Sequence, residues 1–175
     1  MFVLVLLFKK TNFNSLKMFK RTFADVYGRD YTPTIYTAPE YTDRRIDATA
    51  TNVYVHDCVF RSCTSSSNGG TISCSSNVYR LLVEESSFIS CKTSGSYGGG
   101  IYFNNQNYGE CVFSRICGFG CTSLYWGQFS LVYTKNSINI KNQVNDSSFT
   151  QTSKETSSQQ ILLFNQFGKI LCPSV

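Results

Sequence analysis

Val83–Glu84–Glu85–Ser86–Ser87–Phe88–Ile89–Ser90–Cys91 restates, 28 residues later, the pattern of Val55–His56–Asp57–Cys58–Val59–Phe60–Arg61–Ser62–Cys63. An apolar residue, an acid, a small residue, a phenylalanine and a cysteine hold the same offsets in both. Each stretch is followed by a glycine-rich bend and an isoleucine: Asn68–Gly69–Gly70–Thr71–Ile72 and Tyr97–Gly98–Gly99–Gly100–Ile101. Self-similarity at such a period is the mark of a repeat architecture, in which each copy covers the apolar side of the next.

Two weaker copies extend the series when aligned on phenylalanine. Around Phe113 stand Tyr108, Glu110, Cys111, Ile116 and Cys117; around Phe149 stand Val144, Asp146, Ser147 and Thr152. The phenylalanines Phe60, Phe88, Phe113 and Phe149 then recur at intervals of 28, 25 and 36 residues. That is the length of one turn built from three short strands and three bends. Ile161 takes the isoleucine place in the fourth copy, and Gly118, Gly120 and Gly127 are scattered through the third.

This spacing predicts an all-β fold, a right-handed parallel β-helix of about four coils over residues 52–165. Equivalent strands stack about 4.8 Å apart, so like side chains lie one above another. The expected internal ladders are Phe60, Phe88, Phe113 and Phe149; Cys63, Cys91 and Cys117; and Ile72 with Ile101. A β-sandwich also uses short strands and Gly/Ser-rich turns, but it does not require one pattern in several copies. Residues 1–51 read as an irregular basic lead-in or cap, and 166–175 as a tail.

Charge supports this division. Residues 1–29 hold Lys9, Lys10, Lys17, Lys20, Arg21 and Arg29 against Asp25 alone, whereas basic and acidic residues balance from Asp30 onward. Binding to a polyanionic nucleic acid needs cations clustered on the folded body, so nucleic acid is not an expected partner. The apolar run Phe2–Val3–Leu4–Val5–Leu6–Leu7–Phe8 is far below the roughly 20 residues of a membrane-spanning helix. It reads either as a strand or helix capping the open end, or as a degraded signal segment with Met18 as an alternative start.

Phe60–x–x–Cys63 with Gly69–Gly70–Thr71–Ile72, and Phe88–x–x–Cys91 with Gly99–Gly100–Ile101, resemble the repeats of the polymorphic outer-membrane-protein family. There Gly-Gly-Ala-Ile is paired with Phe-x-x-Asn. The cysteine-for-asparagine form is similar to a protist surface-protein branch of that β-helix group. The resemblance covers about residues 52–165. It implies a surface-exposed, adhesive β-helix whose membrane anchoring lies outside the repeats. Relatives of that kind are longer, so a fragment or shortened copy is expected, one whose membrane anchoring is not encoded in this chain.

The eight cysteines are compatible with disulfides or with a ladder of small buried thiols. Zinc is not expected: there is no Cys-x-x-Cys, and His56 is the only histidine. Asp57, Glu85, Glu110 and Asp146 form an expected acidic column. Stacked carboxylates would repel unless a hard cation, the neighbouring Arg61, Arg80 and Arg115, or simple solvation relieves them. An enzymatic β-helix of the pectin lyase or polygalacturonase kind needs a carboxylate pair or calcium with a catalytic base in one groove. No Asp-Asp, Gly-His-Gly or Gly-x-Ser-x-Gly is present. No catalytic residue, cofactor or metal is therefore assigned.

The expected function is a non-catalytic adhesion or interaction scaffold at a cell surface, with a protein or glycan ligand. The alternatives are a carbohydrate-active β-helix fragment and a truncated gene copy without independent function. Trp126 and the many tyrosines are the candidate contact residues, and Asn145–Asp146–Ser147 is a glycosylation sequon.

Overall fold

The computed structural model of the chain describes residues 20–135, 141–150, 162–165 and 169–171. Within them the protein is a parallel β-helix. A five-residue helix, α1 (Phe23–Tyr27), comes first. An entry coil follows, made of β1 (Thr34–Tyr36), β2 (Tyr41–Thr42) and β3 (Ile46–Ala48). The first full coil holds β4 (Asn52–His56), β5 (Val59–Arg61), β6 (Thr64–Ser65) and β7 (Ile72–Cys74). The second holds β8 (Arg80–Glu84), β9 (Ser87–Ile89), β10 (Lys92–Thr93) and β11 (Ile101–Asn104). The third holds β12 (Glu110–Ser114), β13 (Cys117–Phe119) and β14 (Ser130–Tyr133), and β15 (Gln143–Asn145), β16 (Ser148–Thr150), β17 (Leu162–Asn165) and β18 (Lys169–Leu171) carry the winding on.

Three parallel sheets run along the axis, in the orders β1-β4-β8-β12-β15-β18, β2-β5-β9-β13-β16 and β3-β7-β11-β14-β17, with the short pair β6-β10 between the second and third. The helix thus begins before Asn52. Two- and three-residue strands are too short to show an alternating pattern, which is why residues 34–48 read as lead-in.

Three columns of left-handed backbone mark the path from the first sheet through the second to the third. After the first sheet stand Asp57, Glu85, Arg115 and Asp146, with φ of 52°, 46°, 51° and 47°. After the second stand Ser62, Ser90 and Gly120, with φ of 53°, 53° and 62°. Gly69, Gly98 and Gly127 form the third, with φ of 79°, 68° and 64°. Glutamate and arginine rarely adopt this conformation. Here the parallel ladders on both sides of the bend impose it. Gly99, next in the coil, is required by contact instead: a Cβ there would lie 2.3 Å from the carbonyl oxygens of both Gln128 and Thr122. Gly99→Ala is expected to lower stability by about 1–3 kcal/mol, read as a lower urea midpoint with an unchanged slope.

The core is a set of ladders. Tyr41, Phe60 and Phe88 pair in register, with ring centroids 4.9 and 4.8 Å apart in stacked pairs. Ile46, Ile72 and Ile101 pair likewise. Ile161 lies outside the described residues, and Ser130 continues this column. Phe113 does not belong to the phenylalanine column. It pairs with Val83 and Val144 on the first sheet, and the rung after Phe88 is Gly118, followed by Phe149. The true rungs Phe60, Phe88, Gly118 and Phe149 are therefore 28, 30 and 31 residues apart. The space above Gly118 is filled by Phe129, which packs edge-on against Phe88 at 5.1 Å and tilted against Phe149 at 4.7 Å.

The cysteine ladder shifts in the same way. Cys91 Sγ donates to the Phe60 carbonyl and Cys121 Sγ to that of Phe88, both at 3.6 Å. Cys63 Sγ makes the equivalent bond to Tyr41. Cys117 is exposed on β13 and is replaced in the ladder by Cys121. The seven described cysteines are free thiols; Cys172 lies outside the described residues. Hydrogen bonding from Cys121 together with burial pushes the Cys91 thiol up to about 11. The Cys91 hydrogen bond, then burial, raises Cys63, and burial raises Cys74 and Cys111. Iodoacetamide at mildly alkaline pH is expected to alkylate Cys117 alone among these seven, the rest reacting only on unfolding; peptide mapping reads the result.

Candidate functional site

Two places bring polar or exposed functional groups together. The first lies where the first sheet turns into the second. β8 alternates Leu81 and Val83 inward with Arg80, Leu82 and Glu84 outward. An outward glutamate would ordinarily be solvated, but the segment leading into α1 crosses this face. Thr22 caps the helix with a Thr22–Asp25 capping box. Phe23, Val26 and Tyr27 then bury against Tyr54, Leu82 and Val112, and Tyr27 Oη donates to the Leu81 carbonyl at 2.8 Å.

Under this strap the Glu84 side chain is fully buried. It accepts hydrogen bonds from Tyr54 Oη at 2.9 Å and Arg115 Nη2 at 2.8 Å, with Arg21 Nε at 3.8 Å. Arg115 also binds Glu85 at 3.0 Å. Burial, then the bond to Glu84, raises the Tyr54 phenol and keeps it a proton donor.

The expected acidic column is thus interrupted. Its third member is Arg115; Glu110 lies elsewhere, in register with Arg80 and Asn52, and pairs with Arg80 at 3.3 Å. Asp57 and Glu85 still follow one another, but Arg115 pairs with Glu85 and Arg80 with Glu110, which relieves the repulsion there. Lys20 binds Asp57, with His56 Nδ1 2.7 Å from the same carboxylate. The Lys20 ammonium holds the Asp57 carboxyl below its ordinary range, with a smaller contribution from His56. Asp146 is exposed at the far end. No group of three or more potential metal-ligating side chains occurs among the described residues. In this cluster Glu84, Glu85, Glu110 and Asp57 are each paired with a basic side chain.

The second place is the flank between the second and third sheets. Here the chain passes Thr64–Ser65–Ser66–Ser67–Asn68, Lys92–Thr93–Ser94–Gly95–Ser96–Tyr97 and Thr122–Ser123–Leu124–Tyr125–Trp126 in successive coils. Thr64, Ser65, Ser66, Lys92, Thr93 and Ser94 line an open depression of about 450 Å³. Arg45 Nη1 donates to Ser65 Oγ and Ser67 Oγ at 2.6 Å from the entry-coil side. On the third coil Leu124, Tyr125 and Trp126 are 53%, 54% and 51% exposed, and the Trp126 ring stacks on Tyr97 at 5.8 Å.

That ledge is fixed by its backbone. Tyr125 and Trp126 donate N–H bonds to the Ser96 carbonyl. The buried Gln128 amide closes the loop through both its atoms, accepting from Ser123 N at 3.0 Å and donating to Ser123 O at 3.2 Å. Sequence reading named Trp126 but did not assemble the flank. The signal was present, because Asn68, Tyr97 and Trp126 each directly precede a positive-φ glycine.

No helix among the described residues is long and apolar enough to cross a membrane. No family model, curated protein or solved structure matches the chain.

Proposed function

We propose that this protein is a non-catalytic interaction scaffold displayed at a cell surface, as its resemblance to the polymorphic outer-membrane-protein repeats suggests. The observation that carries the reading is the rigid ledge Leu124–Tyr125–Trp126, which holds three large side chains half-exposed on a ladder-bonded backbone. Aromatic side chains on a preorganised frame suit binding, since little rotamer entropy is lost on contact. The acid–arginine cluster gives catalysis no comparable support, for Glu84 is enclosed and both glutamates are engaged by Arg115. The thiols set no compartment: six of the seven are buried, so they persist reduced in either redox environment.

The test applies the labelled full chain to intact, unpermeabilised cells of its source. Saturable binding is expected for the native protein and is lost on Tyr125→Ser/Trp126→Ser. Equal binding by both proteins would sink the reading. So would turnover of a polyuronate that disappears in Glu85→Ala.

A further inference from the structure

We infer that the hydroxyl-and-aromatic flank is a binding row for a single strand of acidic polysaccharide, lying parallel to the solenoid axis. The inference rests on the scaffold reading and names its ligand class.

Spacing is the first argument. Successive coils are about 4.8 Å apart, close to the rise per residue of an extended glycan, so each coil meets one sugar unit with its own set of side chains. The chemistry of those sets is the second. The first two coils offer the exposed Thr64, Ser66 and Ser94 around the depression, whereas the Thr93 hydroxyl is buried against the Ser65 and Ser67 carbonyls and Ser65 is held by Arg45. Hydroxyl groups exchange hydrogen bonds with sugar hydroxyls in either direction. The third coil offers Tyr125 and Trp126, whose rings suit the apolar C–H face of a pyranose.

Charge is the third argument. Residues 64–70, 92–100 and 122–128 contain no carboxylate. Lys92 is exposed in the wall of the depression, and no carboxylate lies within ion-pair distance of it among the described residues. Arg45, at the entry-coil end, is already neutralised by Asp47 at 2.5 Å. An available ammonium among hydroxyls, with no competing acid among the described residues, favours a uronate- or sulfate-bearing chain over a neutral one. A protein partner fits less well. A standard protein interface covers about 800 Å² per side around an apolar centre, whereas the centre of this flank is polar and its apolar residues stand at one end.

The test uses the full chain in affinity electrophoresis and calorimetry against polygalacturonate, chondroitin sulfate and a neutral β-glucan, at low and at physiological salt. At least one acidic polymer is expected to bind and the neutral one not to bind. Tyr125→Ala/Trp126→Ala should weaken binding about tenfold, the equivalent of about 1.4 kcal/mol, and Lys92→Gln severalfold. Lys135→Gln, a cation over Tyr108 on another bend, should leave binding unchanged. Absence of acidic-glycan binding overturns the inference. Equal weakening by Lys92→Gln and Lys135→Gln also overturns it, because the attraction is then mere net charge. If cells still bind through Tyr125 and Trp126 while the glycans do not, the ligand class fails and the scaffold stands. If cell binding is lost as well, both fail.

Discussion

Phe129→Ala is expected to lower the unfolding free energy by about 3–5 kcal/mol, the range for deleting a buried aromatic side chain. Phe129 is almost wholly buried and is the ring that bridges Phe88 to Phe149 across a coil where the ladder position itself is glycine. Its removal leaves a void between two large rings held in place by the backbone ladders, so little collapse can fill it. Gly118→Phe alone should also destabilise, since even a Cβ at 118 would stand 2.7 Å from the Phe129 ring. Together the two substitutions return an aromatic to the column from its regular position. The double variant is therefore expected to recover most of the loss, and urea titrations of all four proteins measure the coupling. Additive losses would show that the two positions do not share one space.

The same pair explains where sequence reading went astray. Phe60 and Phe88, Cys63 and Cys91, and Ile72 and Ile101 were legible because each coil repeats both residue type and spacing. The third coil keeps the shape of the column while exchanging its chemistry. It places glycine at 118 and draws the ring from 129, so alignment on phenylalanine slid to Phe113 and carried Cys117 and Glu110 with it. A backbone signal survives the exchange: the positive-φ glycine follows the rung by nine or ten residues in every full coil, as Phe60 to Gly69, Phe88 to Gly98 and Gly118 to Gly127. Side chains on a stacked frame can be traded between neighbouring sheets, but bends cannot move without breaking the ladders. The strap over the first sheet was illegible for another reason: α1 is a single turn and a half, held by tertiary contacts with Tyr54, Leu82 and Val112 and by the Tyr27 bond to the Leu81 carbonyl. The hydroxyl-and-aromatic flank was half legible, since its glycines repeat while its side chains change from hydroxyl to aromatic along the axis.

Arg115→Ala is the second large effect. Removing one member of a buried ion pair typically costs about 3–5 kcal/mol, because the partner charge stays enclosed. Here the loss is expected near the lower end, since Tyr54 and the more distant Arg21 remain beside Glu84. A cycle with Glu84→Gln separates the pair from its surroundings. In the Glu84→Gln background, Arg115→Ala should cost appreciably less, because the enclosed group is then an uncharged amide. The strap supplies an independent readout. Lys20 and Arg21 lie at its start, and Arg21 reaches the same carboxylate, so a loosened cluster should speed tryptic cleavage there while the coils stay resistant. Faster cleavage at Lys20 and Arg21 together with lower stability would mark the cluster as the fastening of the strap onto the first sheet. If Arg115→Ala instead raised stability, the cluster would be a strained arrangement retained for another purpose, as at a reaction centre, where stability is commonly traded for function. That outcome would favour the covered face of the first sheet over the hydroxyl-and-aromatic flank as the candidate functional site.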